Sequence, residues 1–330
     1  MSKGSDARGW GYRLRFRLGE LVLQGVVRWL PRVPVAWLEA IGEVVWRVGY
    51  RLQRKRVRRM EGNVALALGD DLPDPDARRA LVRRSCRHAF RNVLEAGLAV
   101  THEAERARLW SLPIEGRERL AAAFERGRGV LVVSAHIGAF TALPIRLAAD
   151  YPVSLVANRP ADDRVATLLD EARASLGMGS VPVRPAHAAA RASLTALREG
   201  RVLTILADEF KSGGVEIEFF GRPASAPRGP VTLAMRSGAA LVPVFARRDE
   251  HDRLSLHVGR EIELTATDDP VKDVVTHTQR IFDEIERQVR AHPDQWSWAN
   301  FRARQRPAAP KFRAMPAPSA DENAEAAARR

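Results

Sequence analysis

The sequence predicts an α/β fold, a mostly parallel mixed sheet flanked by helices, preceded by amphipathic helices that associate with a membrane. Three observations predict it. From Gly129 onward, short β-branched apolar runs alternate with helical stretches, the pattern of strands covered on both faces and joined by crossover helices. With 330 residues and 45% hydrophobic content, the chain has enough apolar surface to bury a core. The first sixty residues combine 14 basic and 4 acidic side chains with Trp10, Trp29, Trp37 and Trp46, a mixture suited to an anionic membrane surface.

Taken in order, two helical stretches at about 12–30 and 35–50, separated by Pro31 and Pro34, each present a broad apolar face with Arg or Glu opposite. The cluster Arg51, Arg54, Lys55, Arg56, Arg58 and Arg59 follows, and such residues gain about 1 kcal/mol each near anionic lipid. The competing reading is that these helices cover the core and the arginines form a solvated face. A further helix is expected at 76–98, opened by Pro75 and Asp76. Strands are expected at 130–133, 153–157, 181–183, 202–206, 216–220, 241–246 and 254–258. Helices fall between them at 139–149, 163–176, 188–199 and 230–237, and a last one at 271–291. The domains are therefore a basic amphipathic region (1–60), an α/β body (61–306) and a tail (307–330). That tail, with Pro307, Pro310, Pro316, Pro318 and an Ala-rich end, reads as disordered.

Net charge is +13, concentrated at the two ends, and asks for an anionic partner. Nucleic acid is not expected, because no RNP, zinc-finger or basic-zipper signature accompanies the charge. A spanning helix needs about 20 apolar residues, and the longest stretch without charge, 129–145, is broken by Ser134, His136, Gly138 and Pro144. Glu20, Arg28, Glu39, Glu43 and Arg47 interrupt any signal-peptide core. The expected place is the cytoplasmic face of the inner membrane, peripheral or monotopic. The single cysteine, Cys86, excludes an intramolecular disulfide and a Cys-rich zinc site; neither metal nor cofactor is expected.

His136 is the candidate for chemistry. It follows the carboxyl end of the first strand, beside Gly138 at a strand-to-helix junction, where open α/β sheets bind ligands. The competing reading is a buried histidine satisfied by backbone. Cys86 and His88 have no partner set and read as packing residues.

The stretch Ser134-Ala135-His136-Ile137-Gly138-Ala139-Phe140-Thr141 resembles the H-x-G-N-W-E segment of the lipid A biosynthesis (lauroyl/myristoyl) acyltransferase family, shared by mycobacterial phosphatidylinositol mannoside acyltransferases. Other landmarks follow in the family's order: Asn63, Arg159, Asp208, the run from Phe219-Phe220-Gly221 to Ala224, Arg228-Gly229-Pro230, and Pro293-Asp294-Gln295-Trp296-Ser297-Trp298. The resemblance covers about 18–306. It implies transfer of a fatty acyl group from an acyl carrier protein or coenzyme A thioester to a hydroxyl of a lipid acceptor such as a glycolipid, a lipid A precursor or a lysophospholipid. It also implies His136 as general base, oriented by an acid five residues on.

Here that position is Thr141, while Ala139 and Phe140 replace the usual Asn and Trp. Loss of an orienting carboxylate costs a serine protease roughly 10⁴ in kcat, so another group must substitute or turnover suffers. Thr141 offers a hydroxyl; Asp208 and Glu209, after another strand, offer carboxylates and are preferred, Glu209 ahead of Asp208 because it stands where the family often has Gln. Gly138 and nearby backbone N–H groups are candidate oxyanion donors. Arg159, Lys211, Arg222 and Arg228 are candidate phosphate holders. Two other readings stay open: a member that binds lipid or a partner enzyme without turnover, and a basic nucleic-acid-binding protein.

Overall fold

All five residues of Val130–Ser134 are buried, which is the environment of a central strand with helices on both faces. The computed structural model describes residues 29–160, 162–210, 213–299 and 301. The expected helix at 12–30 falls almost wholly outside the described residues, as do Lys211 and the tail at 307–330.

In chain order the elements are α1 (Val35–Leu52), α2 (Arg54–Leu68), α3 (Pro75–Thr101), α4 (Glu103–Trp110), β1 (Ile114–Glu115), α5 (Arg117–Glu125), β2 (Val130–Ser134), α6 (Ala142–Ala148), β3 (Val153–Ala157) and α7 (Asp163–Ser175). There follow β4 (Met178–Pro182), α8 (Ala186–Arg198), β5 (Val202–Leu206), β6 (Val215–Phe219), β7 (Arg222–Ala226), α9 (Gly229–Ser237), β8 (Ala240–Arg248), β9 (Leu254–Val258) and α10 (Pro270–Ala291). Local chemistry sets several boundaries. Asp74, Asp162 and Asp269 cap α3, α7 and α10 by accepting two backbone N–H groups each, and proline occupies the first turn of α3 and α10.

The sheet runs β1-β9-β8-β2-β5-β3-β4. Every neighbouring pair is parallel except β8 with β9, so the sheet is mixed and mostly parallel. Alternation along β2 divides the core. Leu131 and Val133 face one cluster with Ile281, Phe282 and Ile285 of α10 and Val57, Met60 and Val64 of α2. Val130 and Val132 face another with Leu143 and Ile145 of α6 and Leu120 of α5. Separately, β6 and β7 form an antiparallel hairpin closed by Phe220 and Gly221, with φ of 54° and 64°, a turn needing two left-handed residues. The ring of Phe220 is buried against Trp296, Trp298 and Phe301, which offsets the unfavourable backbone.

Two expected elements shift. The helix placed at 139–149 begins only at Ala142, because the residues before it pair elsewhere: Ile137 bridges Trp296 and Ala139 N donates to Ala246 O at 2.9 Å. The strand placed at 181–183 is Met178–Pro182, whose first residues, Met178 and Gly179, carry no β-branch. Helix α2 was hidden inside the basic run. Its buried Val57, Met60, Val64 and Leu68 recur at helical spacing, while the arginines between them point outward.

Candidate active site

The register of two adjacent strands builds the site. Within the β2–β5 pair Ser134 lies opposite Leu206, so the residues two positions further on, His136 and Asp208, meet beyond the carboxyl edge. The His136 Nδ1 to Asp208 Oδ1 distance is 2.8 Å. The other carboxylate oxygen, Oδ2, accepts the His136 backbone N–H at 3.0 Å and the Trp296 indole N–H at 2.9 Å. Asp208 is fully buried, whereas the His136 side chain keeps 21% exposure. Among the described residues the ring nitrogen Nε2 has no hydrogen-bond partner. Phe140 packs edge-on against the imidazole, with centroids 4.9 Å apart.

Electrostatics favour a charged pair. Burial on its own would push the His136 pKa down, but the Asp208 charge, its hydrogen bond and the nearby Glu209 carboxylate outweigh it, so the net direction is up from 6.5. Burial would likewise raise Asp208, yet the imidazole charge and the three donors hold it below the ordinary carboxylate value. A buried acid that keeps its negative charge behind a histidine stabilises the imidazolium formed when Nε2 takes a proton, and it fixes the Nδ1–H tautomer.

The polypeptide around the pair is tied from several directions. Residues 295–297 run antiparallel to 136–138: Gly138 N donates to Gln295 O and Ser297 N to His136 O, both at 2.9 Å. The Gln295 side-chain amide pairs with the Arg248 backbone in both directions, at 3.0 and 2.8 Å. Ser85 Oγ donates to Trp296 O. Asn63 Nδ2 donates to the carbonyls of Trp298 and Phe301 at 2.7 and 3.0 Å. Gly138, at φ 59°, is required by contact: a Cβ there would stand 1.8 Å from Ala246 O. Thus Asn63 and the Pro293–Trp298 run, far apart in sequence, brace one corner.

The other expected residues take different positions. Thr141 Oγ1 donates to Asn92 O at 2.9 Å, so its hydroxyl is engaged away from the ring. Gly138 N and Ala139 N serve Gln295 O and Ala246 O, so both N–H groups are already committed. Glu209 contributes charge near His136, but the carboxylate in contact is that of Asp208. Arg159 pairs with Asp170 at 2.9 Å and Asp163 at 3.4 Å on the exposed side of α7. Arg222 Nε donates to Leu66 O at 3.1 Å, and Arg228 is the N-cap residue of α9. Phe219, Phe220, Trp296 and Trp298 are buried in the core. The link from Trp296 to Asp208 was missed; the spacing of a terminal tryptophan from a strand-end aspartate carries no local signal.

A histidine backed by a buried carboxylate at the edge of a parallel sheet is an arrangement chemically able to take a proton from a nucleophile. Comparison with known proteins says which group is transferred. A family model described as bacterial lipid A biosynthesis acyltransferase matches residues 15–304. The chain belongs to that family and is an acyltransferase. A phosphatidylinositol mannoside acyltransferase of Mycolicibacterium smegmatis is 27% identical over 80% of this chain and 86% of its own length. One of Mycobacterium tuberculosis is 28% identical over 56% of this chain and 57% of its own.

Proposed function

We propose that the protein transfers a fatty acyl group from a coenzyme A or acyl carrier protein thioester to a hydroxyl of a glycosylated or phosphorylated lipid, with His136 as general base. The observation that carries this reading is the 2.8 Å contact between His136 Nδ1 and the buried Asp208. Nε2 takes the proton of the lipid hydroxyl as its oxygen attacks the thioester carbonyl; Asp208 balances the imidazolium charge. The C–S bond then breaks, and Nε2 returns the proton to the departing thiolate. The absence of an acid at Thr141 therefore does not argue for a member without turnover, since Asp208 occupies that role from the neighbouring strand. The mannoside-directed relatives favour a glycosylated phospholipid as acceptor.

The reading includes docking on an anionic bilayer through α1 and α2. Trp37, Ile41, Val44, Val45, Val48 and Leu52 lie exposed along one stripe of α1, the opposite of what a solvated surface helix presents. Arg51, Arg54, Lys55, Arg56, Arg58 and Arg59 are exposed beside it. No helix among the described residues is long and apolar enough to cross a membrane, so this face would lie in the interface. The test is acyl transfer from labelled acyl-coenzyme A and acyl carrier protein to a panel of phosphatidylinositol mannoside, lysophospholipid and lipid A precursor. Transfer to one acceptor class that is lost in His136→Ala supports the proposal. Wild-type protein that binds vesicles but transfers to no acceptor overturns it.

A further inference from the structure

We propose that Trp296 is a positioning residue, whose indole N–H holds Asp208 Oδ2 so that Oδ1 alone is presented to His136 Nδ1. This rests on the general-base reading of His136. Asp208 is the last charged group behind the ring and has no solvent to orient it, so its rotation is set by donors alone. Oδ2 has two: the His136 backbone N–H at 3.0 Å and the Trp296 indole at 2.9 Å. Only the second comes from outside the strand pair. Removing it leaves one donor on Oδ2, so the carboxylate is then held by the His136 ring and backbone alone.

The indole is delivered by a scaffold that does not depend on it. Backbone bonds join 295–297 to 136–138, Ser85 Oγ holds Trp296 O, and the Gln295 amide is clipped to Arg248. The ring sits among Phe219, Phe220, Trp298 and Phe301, at centroid distances between 4.8 and 6.2 Å. A phenylalanine keeps an aromatic ring in that cluster and loses the donor. Trp298 supplies the matching control. It lies fully buried in the same cluster, but its indole N–H donates to Pro293 O at 2.7 Å and makes no contact with Asp208.

The experiment compares Trp296→Phe with Trp298→Phe in the full-length protein by two readouts. One is the titration of the His136 ring by NMR, which needs no substrate. The other is kcat and KM with palmitoyl-coenzyme A. A carboxylate that loses a donor becomes more basic and holds the imidazolium proton more tightly. Trp296→Phe should therefore raise the His136 pKa above wild type and lower kcat by about tenfold with KM nearly unchanged, the scale of one hydrogen bond to a charged group. Trp298→Phe should lose comparable thermal stability and leave the titration in place. A wild-type His136 titration in Trp296→Phe, or an equal shift in Trp298→Phe, overturns the proposal. Should the wild type transfer no acyl group, the general-base reading fails, while the titration still reports whether the indole governs the pair.

Discussion

Gly138→Ala tests whether the corner at the end of β2 is as tightly closed as the geometry requires. The residue sits at φ 59°, and a Cβ would stand 1.8 Å from Ala246 O and 3.2 Å from the Arg247 Cα. Two costs add. A non-glycine residue in the left-handed region costs about 1–2 kcal/mol, and forcing a methyl group against backbone that cannot swing aside costs typically another 1–3 kcal/mol. The sum, about 2–5 kcal/mol, corresponds to a fall in Tm on the order of 10 °C. Relief of the clash must also push His136, two residues away, off Asp208, and a displacement of about 1 Å at a reacting group costs on the order of 10²-fold in rate. Gly200→Ala separates the two costs, because Gly200 has φ 73° but nothing within 4 Å of its Cβ position; it should lose about 1–2 kcal/mol and keep full activity. The assays are differential scanning calorimetry and acyl transfer. Gly138→Ala that melts and turns over like Gly200→Ala would refute the close-packing account.

Three further outcomes are expected. Thr141→Val removes the bond to Asn92 O and should cost about 1 kcal/mol of stability with little change in kcat, checked by denaturant unfolding and initial rates. Glu209→Gln removes a charge that raises the His136 pKa. Since the base works when neutral, the limb on which kcat/KM rises with pH should start above 6.5 in wild type and move to lower pH in this variant. Replacing Trp37, Ile41 and Val48 together by Glu should abolish sedimentation with phosphatidylglycerol vesicles while leaving the melting curve nearly intact, because these side chains are exposed and belong to neither buried core cluster.

Most strands of the body were legible because apolar β-branched runs mark buried parallel strands: 153–157, 202–206 and 254–258 fall where expected. Helices α4 and α5 were not, being short and strongly charged; tertiary contact through Leu109 and Leu120 holds them where periodicity is too brief to show. The membership of the family was legible from motifs spread over most of the chain. The partner of His136 was legible only to the level of a strand end. Asp208 and Glu209 are adjacent carboxylates, and the parallel register of Ser134 with Leu206 decides between them. That register is a property of the assembled sheet. The same holds for Asn63, Gln295 and Trp296, whose partners lie across the fold.

The measurement that bears most directly on the His136–Asp208 pair is the pH dependence of acyl transfer by Asp208→Asn against wild type. Without the carboxylate, burial is left to dominate the imidazole, so its pKa should drop below 6.5. Even on the high-pH plateau of each profile, where activity no longer rises with pH, kcat should remain about 10³–10⁴-fold low, because the tautomer is no longer set and the imidazolium is unbalanced. Asp208→Asn that is folded and transfers acyl groups at the wild-type rate would contradict the account.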